Sequence, residues 1–258
     1  MQVVILAGGF GTRLAEHTEA MPKPMVEVGG WPILWHILKI YSHFGFRDFL
    51  IAGGYRCEAI KRFFLEYRHR TSDVRIDLGR DTVEVLSESA EPWRVAVIDT
   101  GEATATGGRI KRLCRYLNKG PFMMTYGDGV ADIDVKALVS FHERHGRLAT
   151  FTAVPAPGRF GQPVLEGDRA VAFEEKPGPR NDQWINAGFF VLQREVIERI
   201  GGDETSFEIT TLPRLASDGE LMAYRHEGFW HPMDTLRDVR NLNRLFAEGS
   251  APWEVWRR

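Results

Sequence analysis

Val3-Val4-Ile5-Leu6-Ala7-Gly8-Gly9-Phe10-Gly11-Thr12-Arg13-Leu14 decides the fold class of this chain. A short apolar run halted by glycines suits a strand buried on both faces of a parallel sheet. Three glycines within four residues then expose backbone N–H groups and let an anion approach the main chain, and Arg13 adds a rigid cationic fork. A phosphate cradle fits this string, and so does a tight glycine turn with no ligand. Two familiar phosphate loops do not fit. A dinucleotide fingerprint counted from Gly9 and Gly11 needs glycine where Leu14 stands, and no Gly-Lys-Ser/Thr follows to make a P-loop.

Working outward, Pro32 to Tyr41 carries apolar residues at helical spacing, Phe49 to Ala52 returns as a strand, and Glu58 to Tyr67 reads as a second helix, which is βαβα order. Val74 to Leu78 and Thr82 to Leu86 alternate as half-exposed strands, and a helix is expected from about Gly108 to Leu117. Phe122 to Tyr126 is a buried strand, Asp134 to His145 a helix and Thr150 to Val154 a strand. Residues 162–192 are expected to be mostly strands, with a turn at Pro177-Gly178-Pro179. A helix over Thr210 to Ser217, extended segments at Leu221 to His226 and Phe229 to His231, and a last helix from Leu236 to Phe246 complete the chain. The order predicts an α/β fold, a Rossmann-like mixed, mostly parallel sheet flanked by helices, with ligands beyond the carboxyl ends of the strands.

The chain has 258 residues, 43% of them hydrophobic and 26% charged, enough for one domain with a large core. A net charge of −2 supplies no overall field for a polyanion, so nucleic acid is not an expected partner. The first residues lack a basic leader, and no apolar run approaches the roughly 20 residues that cross a bilayer. A soluble cytoplasmic protein is the expectation, with Cys57 and Cys114 as reduced thiols in or near the core.

Ten residues past Arg13, Met21-Pro22-Lys23-Pro24-Met25 holds Lys23 between two prolines, in an extended segment able to aim its ammonium at the glycine loop. Tyr126-Gly127-Asp128-Gly129 places a carboxylate where a buried strand ends. Asp234, just before the last helix, suits either a metal site or the N-cap of that helix. Phe141-His142-Glu143-Arg144-His145 has its histidines three apart rather than the four of a zinc helix, and is expected to be a solvated face.

Leu-Ala-Gly-Gly-Phe-Gly-Thr-Arg-Leu followed by Pro-Lys-Pro-Met resembles the signature of the sugar nucleotidyltransferases, a family with a GT-A-like fold. Further strings resemble its cytidylyltransferase branch: Pro32 to Ile37, Asp99-Thr100-Gly101, Thr106 to Arg109, Thr125 to Asp132, Pro157 to Gly161, Glu175-Lys176-Pro177, Gly228 to Trp230, Pro232 to Asp238 and Ala251-Pro252-Trp253. The resemblance implies a single nucleotidyltransferase domain over 1–258, with a nucleotide-binding part at about 1–130 and a part for sugar phosphate and oligomerisation at about 131–258. It implies CTP and glucose 1-phosphate as substrates, CDP-glucose and pyrophosphate as products, and Mg²⁺ on Asp128 and Asp234. Nucleotide binding falls to Leu6, Ala7, Gly8, Gly9, Phe10, Gly11, Thr12, Arg13, Lys23, Thr104, Arg109, Gly127 and Asp128. Sugar phosphate falls to Tyr126, Glu175, Lys176 and Asn186, and catalysis to Arg13, Lys23, Asp128 and Asp234. A homo-oligomer, in the form of a hexamer, is also implied. Ala187 stands where a glycine of an expected Asn-Gly-Gly would be, between Asn186 and Gly188, and Gln162-Pro163 follows the Gly-Arg-Phe-Gly turn. UTP or dTTP, or another phosphorylated acceptor, therefore remain as alternatives of the same chemistry, and a non-catalytic nucleotide-binding protein as an alternative of another class.

Overall fold

The computed structural model describes residues 1–11, 21–87, 91–155, 162–174 and 184–257. Thr12, Arg13, Glu175 and Lys176, together with the turn expected at Pro177-Gly178-Pro179, lie outside the described residues.

Among the described residues nine strands form one sheet: β1 (Val3–Ala7), β2 (Asp48–Gly53), β3 (Arg94–Asp99), β4 (Phe122–Tyr126), β5 (Ala149–Pro155), β6 (Gln162–Glu166), β7 (Arg169–Glu174), β8 (Trp184–Leu192) and β9 (Leu221–Arg225). Their order across the sheet is β6-β7-β9-β5-β8-β4-β1-β2-β3. β3, β2, β1 and β4 are mutually parallel, β8 runs against both β4 and β5, and β9 is parallel to β5. With β7 antiparallel to β9 and to β6, only β7 and β8 oppose the common direction, so the sheet is mixed and mostly parallel as expected.

Strand alternation divides the core in two. Val3, Ile5 and Ala7 of β1 face one layer, with Ile33, Leu34 and Ile37 of helix α1 (Ile33–His43) among their companions. Val4 and Leu6 face the other, with Ile110, Leu113 and Phe207. All five β1 side chains are buried, which is why the segment reads as a continuous apolar run. The remaining helices are α2 (Cys57–Thr71), α3 (Thr106–Arg112), α4 (Val135–His145), α5 (Leu212–Ser217) and α6 (Leu236–Ala247). Cys57 is a buried free thiol and Cys114 a half-buried one. No helix among the described residues is long and apolar enough to cross a membrane.

Two expectations need correction. The helix expected from Gly108 to Leu117 is the shorter α3 followed by a 3-10 turn at Cys114–Tyr116. The face carrying His142 is not solvated. Val135, Leu138 and His142 form the buried stripe of α4, and His142 has no exposed surface. Its ring nitrogens meet the Thr150 hydroxyl at 2.8 Å and the Gln193 amide at 3.0 Å, while His145 reaches the same hydroxyl at 2.7 Å. The histidines satisfy one another's neighbours under the sheet, and burial is the main reason the His142 pKa falls to about 4.

Candidate active site

The carboxyl ends of β1 and β4 open into a cavity of about 440 Å³ whose walls include Leu6, Ala7, Gly8, Gly9, Phe10 and Gly11. Lys23, Thr104, Arg109, Tyr126, Gly127, Asp128 and Asp234 complete the predicted residues that line it. A smaller cavity of about 170 Å³ is lined by Asn186, Ala187 and Trp230, and it shares Tyr126, Asp128 and Asp234 with the larger one. Two chambers therefore meet at one pair of carboxylates.

What brings that pair together is a two-stranded ribbon. After β4 the chain turns at Gly127-Asp128, and Gly129–Ala131 pairs antiparallel with Trp230–Pro232, Gly129 opposite Pro232. The ribbon continues one step further, with the Met233 N–H donating to the Asp128 carbonyl at 2.7 Å, which brings Asp234 alongside Asp128. Helix α6 begins next. Its N-cap is Thr235, in a reciprocal capping box with Asp238. The capping role weighed for Asp234 thus belongs to its neighbour, and the Asp234 carboxylate is left to the cavity.

Lys23 stands between the acids. In place of the extended segment expected, Pro22 and Pro24 set a 3-10 turn, Lys23–Met25, and the Lys23 Nζ donates to Asp128 Oδ2 at 2.6 Å and to Asp234 Oδ1 at 2.7 Å rather than reaching for the glycine loop. The side chains are 11%, 32% and 12% exposed for Lys23, Asp128 and Asp234. Burial by itself works against the ammonium, but the charges and hydrogen bonds of the two aspartates outweigh it and hold the Lys23 pKa above its ordinary value. The amine is cationic throughout the physiological range.

Arg109 is 4% exposed, and its guanidinium serves the scaffold around the glycine loop. Nη1 donates to the carbonyls of Gly53 and Gly101 and to the Thr100 hydroxyl at 3.1, 2.7 and 2.8 Å. Nη2 donates to the carbonyls of Gly8 and Glu102 at 2.9 and 3.0 Å. A Cβ on Gly8 would lie 2.1 Å from Nη1, so the glycine is needed for this close approach. Arg109 thereby ties the end of β1 to the ends of β2 and β3 and to the loop that carries Thr104.

Tyr126 lines both chambers, and Asn186 lines the smaller one beside it. The Tyr126 hydroxyl donates to Glu208 Oε1 at 2.7 Å, and Asn186 Nδ2 donates to that hydroxyl at 3.3 Å. Gly188, at φ +83, lies against the ring, where a Cβ would come 2.4 Å from Tyr126 Cδ2. Sequence reasoning gave no role to Glu208, which stands in the single π-turn Phe207–Thr211 ahead of α5. It also gave none to Trp230, whose indole N–H donates to the Ala187 carbonyl at 2.8 Å. Glu208 has no motif to announce it, whereas Gly228-Phe229-Trp230 was a visible string without an assigned duty.

The donor set suits a hard divalent ion. No group of three or more His, Cys, Asp or Glu side chains able to hold a metal occurs among the described residues. Two carboxylates close enough to share one ammonium are what Mg²⁺ takes when substrate phosphates and water supply its remaining ligands.

Residues 2–248 match the nucleotidyl transferase family model. The chain is 49% identical over 257 residues to the glucose-1-phosphate cytidylyltransferase of Salmonella typhi, covering 99% of this chain and 100% of that protein. It is 32% identical over 272 residues to the mannose-1-phosphate guanyltransferase of Aspergillus fumigatus, covering 98% of this chain and 69% of that protein. The crystal structure of HddC from Yersinia pseudotuberculosis superposes with a TM-score of 0.77 at 24% identity, over 95% of this chain and 99% of that one, a likeness of fold. With its sheet, its two chambers and a full-length match of this kind, the chain belongs to the nucleotidyl transferase family.

Proposed function

We propose that this protein transfers the cytidylyl group of CTP to glucose 1-phosphate, giving CDP-glucose and pyrophosphate. The observation that carries the reading is the meeting of a larger and a smaller chamber at Asp128 and Asp234 with Lys23 between them. One chamber suits a nucleoside triphosphate and the other a hexose phosphate. The choice of CTP and glucose 1-phosphate is supported by the 49% identity to a protein named for that pair.

A sugar 1-phosphate is already an anion and needs no general base. It needs to be held in line with the α-phosphorus and to have its repulsion from the triphosphate offset. In this reading the N–H groups of Gly8, Gly9 and Gly11, with Arg13, hold the β- and γ-phosphates. Lys23 offsets charge at the α-phosphate. Tyr126 and Asn186, with Glu175 and Lys176, hold the sugar phosphate, and Arg109 keeps the glycine loop in place. Asp128 and Asp234 would hold Mg²⁺, which when bound supplies positive charge to both substrates.

The same proposal includes a cytoplasmic homo-oligomer. Leu65, Ile76 and Leu78, exposed at 81%, 59% and 91%, offer apolar surface for contacts between copies.

The test is pyrophosphate release by the purified protein with CTP, UTP, dTTP, GTP and ATP against a panel of hexose 1-phosphates, with and without Mg²⁺. Fastest turnover with CTP and glucose 1-phosphate, dependent on the metal, is expected. Preference for another pair overturns the substrate choice, and CTP binding without turnover for any acceptor overturns the enzyme reading.

A further inference from the structure

Glu208 belongs to neither chamber, yet it fixes how one of their walls can hydrogen-bond. Its Oε2 accepts from the Thr106 hydroxyl at 2.5 Å and from the Ser206 hydroxyl at 3.0 Å. The Thr106 oxygen in turn accepts from the Phe207 N–H at 2.9 Å, so Glu208 is anchored by the start of α3 and by its own turn. Its other oxygen takes the Tyr126 hydroxyl proton. An ionised carboxylate accepts and never donates, so the direction of that bond is fixed. The Asn186 amide is oriented too, because its Oδ1 accepts from the Gly188 N–H at 2.8 Å and its Nδ2 therefore points a hydrogen at Tyr126.

The consequence is a polarity. With its proton committed to Glu208, the Tyr126 oxygen meets every further partner as an acceptor. Tyr126 forms part of the smaller chamber, where the Trp230 indole N–H is committed to the Ala187 carbonyl and one of the two Asn186 amide hydrogens to Tyr126. We propose that Glu208 is a positioning residue that sets Tyr126 as an obligate hydrogen-bond acceptor, so that the chamber selects a sugar phosphate bearing a free hydroxyl at the ring position facing Tyr126. This deepens the transferase reading and rests on it. The selection should exclude acceptors deoxygenated, fluorinated or alkylated at that one position.

Monodeoxy and monodeoxyfluoro glucose 1-phosphates test it, since fluorine keeps size and accepting character but has no proton to give. For the wild-type protein, kcat/KM should fall about 10- to 100-fold for both analogues at one ring position, the range for leaving one hydrogen-bonding partner unsatisfied. In Tyr126→Phe the loss at that position should shrink to about threefold or less. Glu208→Gln is the decisive variant. Its amide oxygen takes the Thr106 and Ser206 hydroxyls, its NH₂ faces Tyr126, and the released phenol proton can then point at the ligand. The fluoro analogue should regain most of its lost activity relative to glucose 1-phosphate, with a melting temperature close to wild type showing that the fold is intact. Wild-type indifference to every analogue, or a wild-type fluoro penalty retained in Glu208→Gln, overturns the proposal. Absence of turnover with glucose 1-phosphate itself overturns both this and the transferase reading.

Discussion

Replacing Lys23 by Met removes the cation that bridges Asp128 and Asp234 while keeping most of the length of the side chain. Both ion pairs are short, 2.6 and 2.7 Å, and two of the three partners are nearly nine-tenths buried. Breaking a buried pair by deleting one partner costs about 3–5 kcal/mol, because the remaining charge is left without compensation. Asp128 is 32% exposed and partly screened, which places the expected loss near the lower end, about 3 kcal/mol. For a chain of this size that corresponds to a melting temperature lower by about 6–12 °C. Mg²⁺ should then restore what the ammonium supplied. At a concentration about 100 times its dissociation constant, a ligand specific for the folded state returns about 2.7 kcal/mol. Wild type should gain much less, since its own ammonium contests the same oxygens. The assay is thermal unfolding of both proteins with and without MgCl₂ at matched ionic strength, without nucleotide. A Lys23→Met protein as stable as wild type, or equal Mg²⁺ shifts in the two, would refute the reasoning. Turnover of the variant should also fall by about 10²–10³, as for loss of a group that stabilises transition-state charge.

Arg109→Lys should unfold several degrees lower and weaken nucleotide binding together, because a single ammonium cannot reach the five oxygens that Nη1 and Nη2 satisfy. A variant with both properties unchanged, read by calorimetric melting and titration, would show that the loop is held by something else. Acid should destabilise the protein through His36, whose pKa is lowered to about 4, chiefly by burial. Its Nε2 lies 2.8 Å from the Val28 carbonyl and its Nδ1 accepts from the Trp253 indole at 3.2 Å, an arrangement that only the neutral ring satisfies. A lowered histidine pKa adds stability that is present above the unfolded value, near 6.5, and is lost as pH falls toward about 4, by up to about 3 kcal/mol. Denaturant midpoints measured from pH 7 to pH 4 should fall, and fall less in His36→Gln; equal pH dependence in the two would remove His36 from the account.

Where the chemistry is carried by one contiguous string, the sequence was legible. The glycine loop sits at the end of β1 and Asp128 follows β4, as local composition implied, whereas Lys23 turns inward from a 3-10 turn and not from the extended segment expected. Asp234 was found by resemblance, since nothing near it in the chain reveals that Trp230–Pro232 pairs with Gly129–Ala131. Alternation marks a strand but does not name its partner. His142 was misread because a histidine at the end of an apolar helical stripe looks polar until Thr150 and Gln193 are placed around it. Glu208 escaped for the same reason. Its three hydroxyl partners come from separate parts of the chain, and a carboxylate that accepts only from neutral hydroxyls leaves no charge pattern to read.

The ribbon that seats Asp234 also sets the moment at which the protein becomes competent. The residue that completes the acid pair leaves the ribosome 211 residues after Lys23, and beyond it Trp253 packs against α1 with no surface exposed. A nascent chain can form β1 and present Lys23 early, but its second carboxylate arrives only once synthesis has passed Asp234. A chain cut short ahead of Trp230 should therefore be a silent product, because the catalytic centre needs both distant halves of the ribbon.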